Sequence, residues 1–197
     1  EGWDFGEMSE NGVGENASQI NMAGTGIGTF NDRIRDALRG GGKYGLLTNP
    51  FHTGTMKDEL LHQGDILRYS IVGNLRDYIL ECASGEKVSG KDYLYNGRPV
   101  AYCGSPEEHI PYVSAHDNET LFDHLLLSRK KSFTEEKLEV RVRLQILGIA
   151  TVILSQGIPF LHAGSELLRS KSMDRNSYNS GDWFNSLDFS LRGNGFP

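Results

Sequence analysis

Two short apolar stretches each run straight into residues that can handle protons and charge. Tyr112-Val113-Ser114-Ala115 leads into His116-Asp117-Asn118-Glu119, and Ile158-Pro159-Phe160-Leu161 leads into His162 and Glu166. Carboxylates and imidazoles placed just past buried segments suit general acid–base work, or stabilisation of a positive charge that develops during reaction. A structural alternative stands beside this for Asp117 and Asn118, since either can cap a helix running through Phe122 and Leu125. The histidines His52, His62, His109, His116, His124 and His162 show no ligand spacing that demands a transition metal. Gly24-Thr25-Gly26-Ile27-Gly28 resembles a nucleotide-binding glycine run but lacks the preceding strand and the lysine of a phosphate loop.

These groups need elements to hold them. Thr134 is placed to cap a helix whose first turn holds Glu135 and Glu136. Leu138, Val142, Ile146, Ile149 and Ile153 then recur at helical spacing, and Leu144, Leu147, Ala150 and Val152 broaden the apolar face. So broad a face predicts packing on a sheet. Tyr112–Ala115 and Ile158–Leu161 read as the strands before and after it, with Pro159 better suited to a strand bottom or edge than to a central ladder. Strand, helix and strand form one crossover unit, right-handed by default. In a closed parallel barrel, the loops after such strands surround the active site.

Upstream, the first thirty residues are rich in glycine and loop-like. Phe30, Ile34, Ala37 and Leu38 predict a short helix stopped by Gly40-Gly41-Gly42. Met56–Leu61 reads as a turn or two of helix, Leu67–Val72 is too short to classify, and Asn74–Leu80 reads as a helix start. The stretch from Glu81 to Pro111 is a long polar connection, with a hairpin predicted at Asn96-Gly97.

The 197 residues suffice for one substantial core, and the composition is that of a soluble globular protein with 24 glycines. A net charge of −6, with acids interrupting the basic stretches at Arg129–Lys131 and Arg169–Arg175, argues against a nucleic-acid partner. No apolar run approaches the roughly 20 residues of a membrane span. Cys82 and Cys103 could pair, but nothing in their spacing requires it; they sit in no C-x-x-C unit, and reduced, buried thiols are the preferred reading. The opening Glu1-Gly2-Trp3-Asp4 is neither a Met start nor a signal peptide, which suggests a piece of something longer.

Four segments read together narrow the function: Glu1-Gly2-Trp3-Asp4-Phe5-Gly6-Glu7, Tyr112 to Leu121, Gly157 to Glu166, and Asp174-Arg175-Asn176-Ser177-Tyr178-Asn179-Ser180-Gly181-Asp182-Trp183-Phe184-Asn185. Together they resemble the pullulanase and limit dextrinase branch of the alpha-amylase superfamily, glycoside hydrolase family 13. Asn16–Gln19 and Phe30–Asp36 resemble this branch as well.

The resemblance implies an α/β fold, the C-terminal half of a (β/α)8 TIM barrel from the end of strand five to strand eight and the following loops. On this reading residues 1–197 are one partial catalytic domain. The implied general acid/base is Glu1 and the implied transition-state stabiliser is Asp117. No segment resembles the fourth-strand region of the family, so the nucleophile belongs upstream, and the chain needs the upstream half of its own barrel. His116 is implied as a donor to a sugar hydroxyl, Trp3 and Phe5 as cleft aromatics, and Asn179 and Asp182 as hydroxyl-binding residues after the last strand. Trp3 and Phe5 are otherwise ordinary core aromatics. Arg175 is expected to brace the loops through Asp174 or Asp182.

The implied chemistry has its own logic. A retaining glycosidase holds an attacking carboxylate and a protonating carboxylic acid about 5–5.5 Å apart. The implied activity is hydrolysis of alpha-1,6 branch linkages in pullulan, amylopectin or limit dextrins by the longer protein, with this stretch inactive alone. The alternatives are an alpha-1,4-acting member of the superfamily and a catalytically silent carbohydrate-binding fragment. No cofactor is needed for the chemistry, and the resemblance admits a structural calcium without assigning its ligands. The implied partner is a branched alpha-glucan, with neither nucleic acid nor membrane. The implied location is a plastid for a plant or alga, and the cytoplasm or exterior for a bacterium.

Overall fold

The computed structural model describes residues 18–41, 45–48, 57–128 and 137–196. In chain order the first elements are β1 (Thr29–Asn31), α1 (Asp32–Arg39), α2 (Lys57–Ile71), β2 (Ile79–Glu81) and β3 (Lys87–Ser89). They are followed by β4 (Leu94–Tyr95), β5 (Arg98–Pro99), β6 (His109–Pro111), α3 (Leu121–Ser128), α4 (Leu138–Leu154) and α5 (Asp182–Asn185).

Three extended segments carry the architecture. β1 pairs in parallel with β6, Phe30 lying opposite Ile110. On the other side of β6, the Ile158 amide donates to the His109 carbonyl and the Phe160 amide to the Pro111 carbonyl, each at 2.9 Å. The 158–160 segment therefore lies along β6 as a third line. Gly157 makes this approach feasible: its φ is +127, and a Cβ there would meet the His109 carbonyl at 2.6 Å. Among the described residues the pairing does not close into a barrel.

Asn31 joins strand to helix. Its side-chain oxygen caps α1 by accepting from the Arg33 and Ile34 amides, while its Nδ2 lies 2.9 Å from His109 Nε2. His109 Nδ1 lies 2.8 Å from the Gln156 carbonyl and must donate to it, so Nε2 accepts from Asn31. One buried imidazole thus links all three extended lines. Burial holds His109 down at about 4, neutral at pH 7.

Helix α1 lies between two cores. Ile34 and Leu38 pack with Leu47, Val113, Leu121, Leu125 and Val152, whereas Ala37 packs with Ile66, Tyr69, Val100 and Ala101. Each fully buried Leu or Ile here contributes roughly 1.5–3 kcal/mol.

Several expectations change. The residues read as a strand at Tyr112–Ala115 lie just past β6; Tyr112, Val113 and Ser114 are buried by packing rather than by ladder pairing. Helix α2 runs unbroken across Met56–Leu61's described end and through the unclassified stretch to Ile71. The expected helix start at Asn74 is a turn, because Gly73 and Asn74 both take positive φ, and the chain continues into β2. The predicted hairpin is present as β4 and β5, with Asn96 and Gly97 both left-handed as a two-residue turn requires.

Helix α4 forms, but its inward face differs. Arg141, Gln145, Gly148 and Val152 are buried, while Leu138, Ile146, Leu147, Ile153 and Leu154 are exposed. Gly148 sets this orientation, since a Cβ there would sit 3.0 Å from Leu121 and 3.1 Å from Leu47. Arg141 stacks over the Phe122 ring at 5.0 Å, and Gln145 donates to the Ser165 carbonyl. Thr134, the expected cap, lies outside the described residues.

Candidate active site

The downstream ends of the three extended lines converge on a cavity of about 570 Å³. Its aromatic floor takes one ring from each line. Phe30 of β1 meets Tyr112, just after β6, at 5.2 Å and Phe160 at 5.0 Å, both edge to face. Arg35 of α1 donates to the Tyr112 hydroxyl at 2.8 Å and to Asp36 at 2.6 Å. Burial works against the Arg35 charge, but the bond to Asp36 and the nearby acids outweigh it and leave its pKa above the ordinary value. Burial pushes the Tyr112 phenol up to about 12, so it stays protonated at neutral pH.

His116, Asp117 and Asn118 line the same cavity, with Arg175 and Asn176 from a later loop. His116 Nε2 lies 3.3 Å from Asp117 Oδ1, and both side chains are about 70% exposed (68% and 71%). Asn118 adopts φ +59, a left-handed conformation that Asn tolerates well, so the turn presents Asp117 to the open side. Glu119, next in sequence, points inward. It pairs with buried Arg39 at 3.2 Å and with Arg175 at 3.1 Å. Arg175 therefore braces through Glu119 and through the Asn118 side chain, at 3.3 Å, rather than through Asp174 or Asp182 as expected. The carboxylate of Glu119 is simply the one at hand where the two loops meet.

A second cavity, about 460 Å³, also meets His116 and is lined by His162, Lys171, Tyr178 and Asn185 among others. His162 Nε2 accepts from Arg169 at 3.1 Å, so its proton sits on Nδ1, 3.5 Å from Ser114 Oγ. Burial, then Arg169, Lys171 and His116, holds His162 down at about 4. It is a neutral link between the third line and the loop after β6.

The structure thus brings His116 and Asp117 together on one cavity. Asn179, just before α5, and Asp182, the first residue of α5, are exposed and do not line it; Asn176 does. Glu1, Trp3 and Phe5 lie outside the described residues. The sequence reading passed over Tyr112, Phe30 and Phe160 as site residues; an aromatic at the end of each extended line was the available signal. It also passed over Lys171. Among the described residues no group of three or more His, Cys, Asp or Glu side chains is arranged to hold a metal, so no calcium ligands can be named. None of the described helices is long and apolar enough to cross a membrane.

A carboxylate and an imidazole above an aromatic floor can bind a polyhydroxylated ring and stabilise positive charge on it. No protein-family model matches the chain. The chain is 49% identical over 210 residues to the chloroplastic Pullulanase 1 of Arabidopsis thaliana, a match covering 98% of this chain and 22% of that protein. It is 44% identical to the pullulanase of Klebsiella aerogenes, covering 100% of this chain and 19% of that protein. The crystal structure of Klebsiella pneumoniae pullulanase complexed with maltotriose superimposes with a TM-score of 0.85 at 45% identity, over 92% of this chain and 18% of that one. The chain spans about a fifth of the length of the curated relatives it matches.

Proposed function

The chain belongs to the pullulanase family, and from that premise we propose that it supplies the second half of a catalytic (β/α)8 barrel that hydrolyses alpha-1,6 branch linkages in an alpha-glucan. The observation that carries this reading is the site after β6. Asp117 and His116 stand at the downstream end of a parallel strand, over the Phe30–Tyr112–Phe160 floor, inside a segment that matches pullulanases throughout. Barrel loops at that end of the strands are where catalytic residues gather.

In the proposed reaction Glu1 protonates the oxygen of the scissile branch linkage, and a nucleophilic carboxylate from outside residues 1–197 attacks the sugar carbon. Asp117 stabilises the positive charge that develops on the ring. His116 donates to a hydroxyl of the same sugar. Trp3 and Phe5 offer ring faces to the glucan, and Asn179 and Asp182 offer polar contacts further along the cleft. Water then displaces the glycosyl-enzyme intermediate with net retention. Residues 1–197 alone lack the attacking group and are inactive on this reading.

Product analysis tests it. The full-length protein acting on pullulan should release maltotriose, first as the alpha anomer by proton NMR. Trisaccharides that still contain an alpha-1,6 bond would indicate alpha-1,4 cleavage instead. Binding of pullulan without products would indicate a silent binding protein.

A further inference from the structure

Asp123, in the first turn of α3, is fully buried, and its carboxylate is filled by a later loop. Oδ1 accepts from Ser170 Oγ at 2.5 Å, and Oδ2 accepts from the Lys171 amide at 2.8 Å and the Met173 amide at 3.3 Å. Those bonds hold a turn in which Ser172 and Met173 both take left-handed backbone, φ 49 and 64. Residues with side chains adopt that conformation at a cost, which the buried carboxylate offsets. The turn delivers the Lys171 side chain inward. Lys171 is only 2% exposed, and its Nζ donates to the backbone carbonyl of His116 at 2.8 Å.

The side chains of Asp117 and His116 are largely exposed and gain little from packing. Their placement therefore depends on the backbone that carries them. That backbone is held by Lys171 at the His116 carbonyl and, less tightly, by Arg175 at the Asn118 side chain. A charge-assisted bond is the stronger kind and resists rotation of the His116–Asp117 peptide.

We propose that Lys171 is a positioning residue for Asp117, seated by Asp123 and acting through the His116 carbonyl without touching substrate. The inference rests on the reading of Asp117 as the transition-state stabiliser. A residue that merely supports the fold would lower the fraction of active molecules; a positioning residue lowers turnover per active site.

The test is Lys171→Met in the full-length protein, with kcat normalised to the fraction of folded molecules and pullulan as substrate. Displacement of a catalytic group by about an ångström can cost on the order of 100-fold. The expected result is a roughly 10- to 100-fold fall in kcat with KM changed less than about threefold. Lys171→Arg, which can still donate to the carbonyl, should recover most of the activity. In an Asp117→Asn background, Lys171→Met should cost little more, because the two act as one unit. An unchanged kcat per folded molecule, or losses that multiply independently in the double variant, would overturn the proposal. Full turnover by Asp117→Asn alone would overturn the Asp117 reading and remove this role with it. Should Lys171→Met fail to fold, Asp123→Asn, which keeps the size of the seat but drops its charge, is read by the same kcat and double-variant criteria.

Discussion

Arg39 and Glu119 face each other at 3.2 Å across the join between α1 and the loop that carries Asp117, both nearly inaccessible to solvent. Burial lowers the Arg39 pKa, with Glu119 opposing that shift, so the pair is what keeps the guanidinium comfortable in its place. Arg39→Met should destabilise the full-length protein by about 3 kcal/mol, because Glu119 is left buried with, among the described residues, exposed Arg175 and half-buried His124 as its remaining ionic partners. Urea denaturation of the two proteins measures this. An unchanged midpoint would show that Arg175 and His124 suffice to hold Glu119.

Buried His109 gives a pH prediction with a definite sign. Its ordinary value of 6.5 is lowered to about 4 in the fold, so between these values the unfolded chain binds a proton that the folded chain does not. Stability therefore falls as pH drops from about 6.5 to about 4, and is independent of this group above that window. His162, lowered likewise, adds in the same direction. His109→Asn should flatten part of this slope when unfolding is followed at several pH values. A slope unaltered by the substitution would count against a neutral His109.

The placement of His116 and Asp117 on one cavity was legible because chemistry left local marks. His116-Asp117 follows an apolar stretch, and the match to the family spreads over several segments. What was not legible depended on partners distant in sequence. Strand β6 lies at His109–Pro111 rather than at Tyr112–Ala115 because its ladder is fixed by Asn31, Gln156 and Gly157, residues 47 or more positions from His109. The inward face of α4 could not be read from hydrophobicity, since Gly148 rather than a large apolar side chain sets the close contact. Lys171 looked like one member of a basic stretch, and its task appears only once Asp123 and the His116 carbonyl are brought beside it.

Glu1→Gln in the full-length protein should reduce pullulan hydrolysis by about 100- to 10,000-fold while leaving glucan binding nearly intact, since only proton donation is lost. A leaving group that needs no protonation, such as an activated aryl glycoside, should be cleaved with a smaller loss. Normal turnover on pullulan would remove Glu1 from the mechanism.

Residues 1–197 expressed alone should not hydrolyse pullulan if, as proposed, the attacking carboxylate comes from outside them. The exposed face of α4, with Ile146, Leu147 and Leu154, and the open flanks of the parallel lines favour association over a monomeric fold. Calorimetry and a reducing-sugar assay on the isolated piece check both points. A monomer with sharp unfolding and measurable branch cleavage would require a nucleophile within these residues.

In the proposed mechanism Asp117 stabilises charge on a glucosyl ring during branch hydrolysis. The most direct measurement is the steady-state kinetics of Asp117→Asn in the full-length protein on pullulan, beside binding of maltotriose by calorimetry. The substitution keeps the size of the side chain and removes its charge. A stabilising carboxylate requires kcat to fall by at least about 100-fold with affinity for maltotriose changed only a few-fold, since its charge matters most when the ring is positive. Turnover equal to that of the unsubstituted protein, or losses of equal size in binding and turnover, would contradict it.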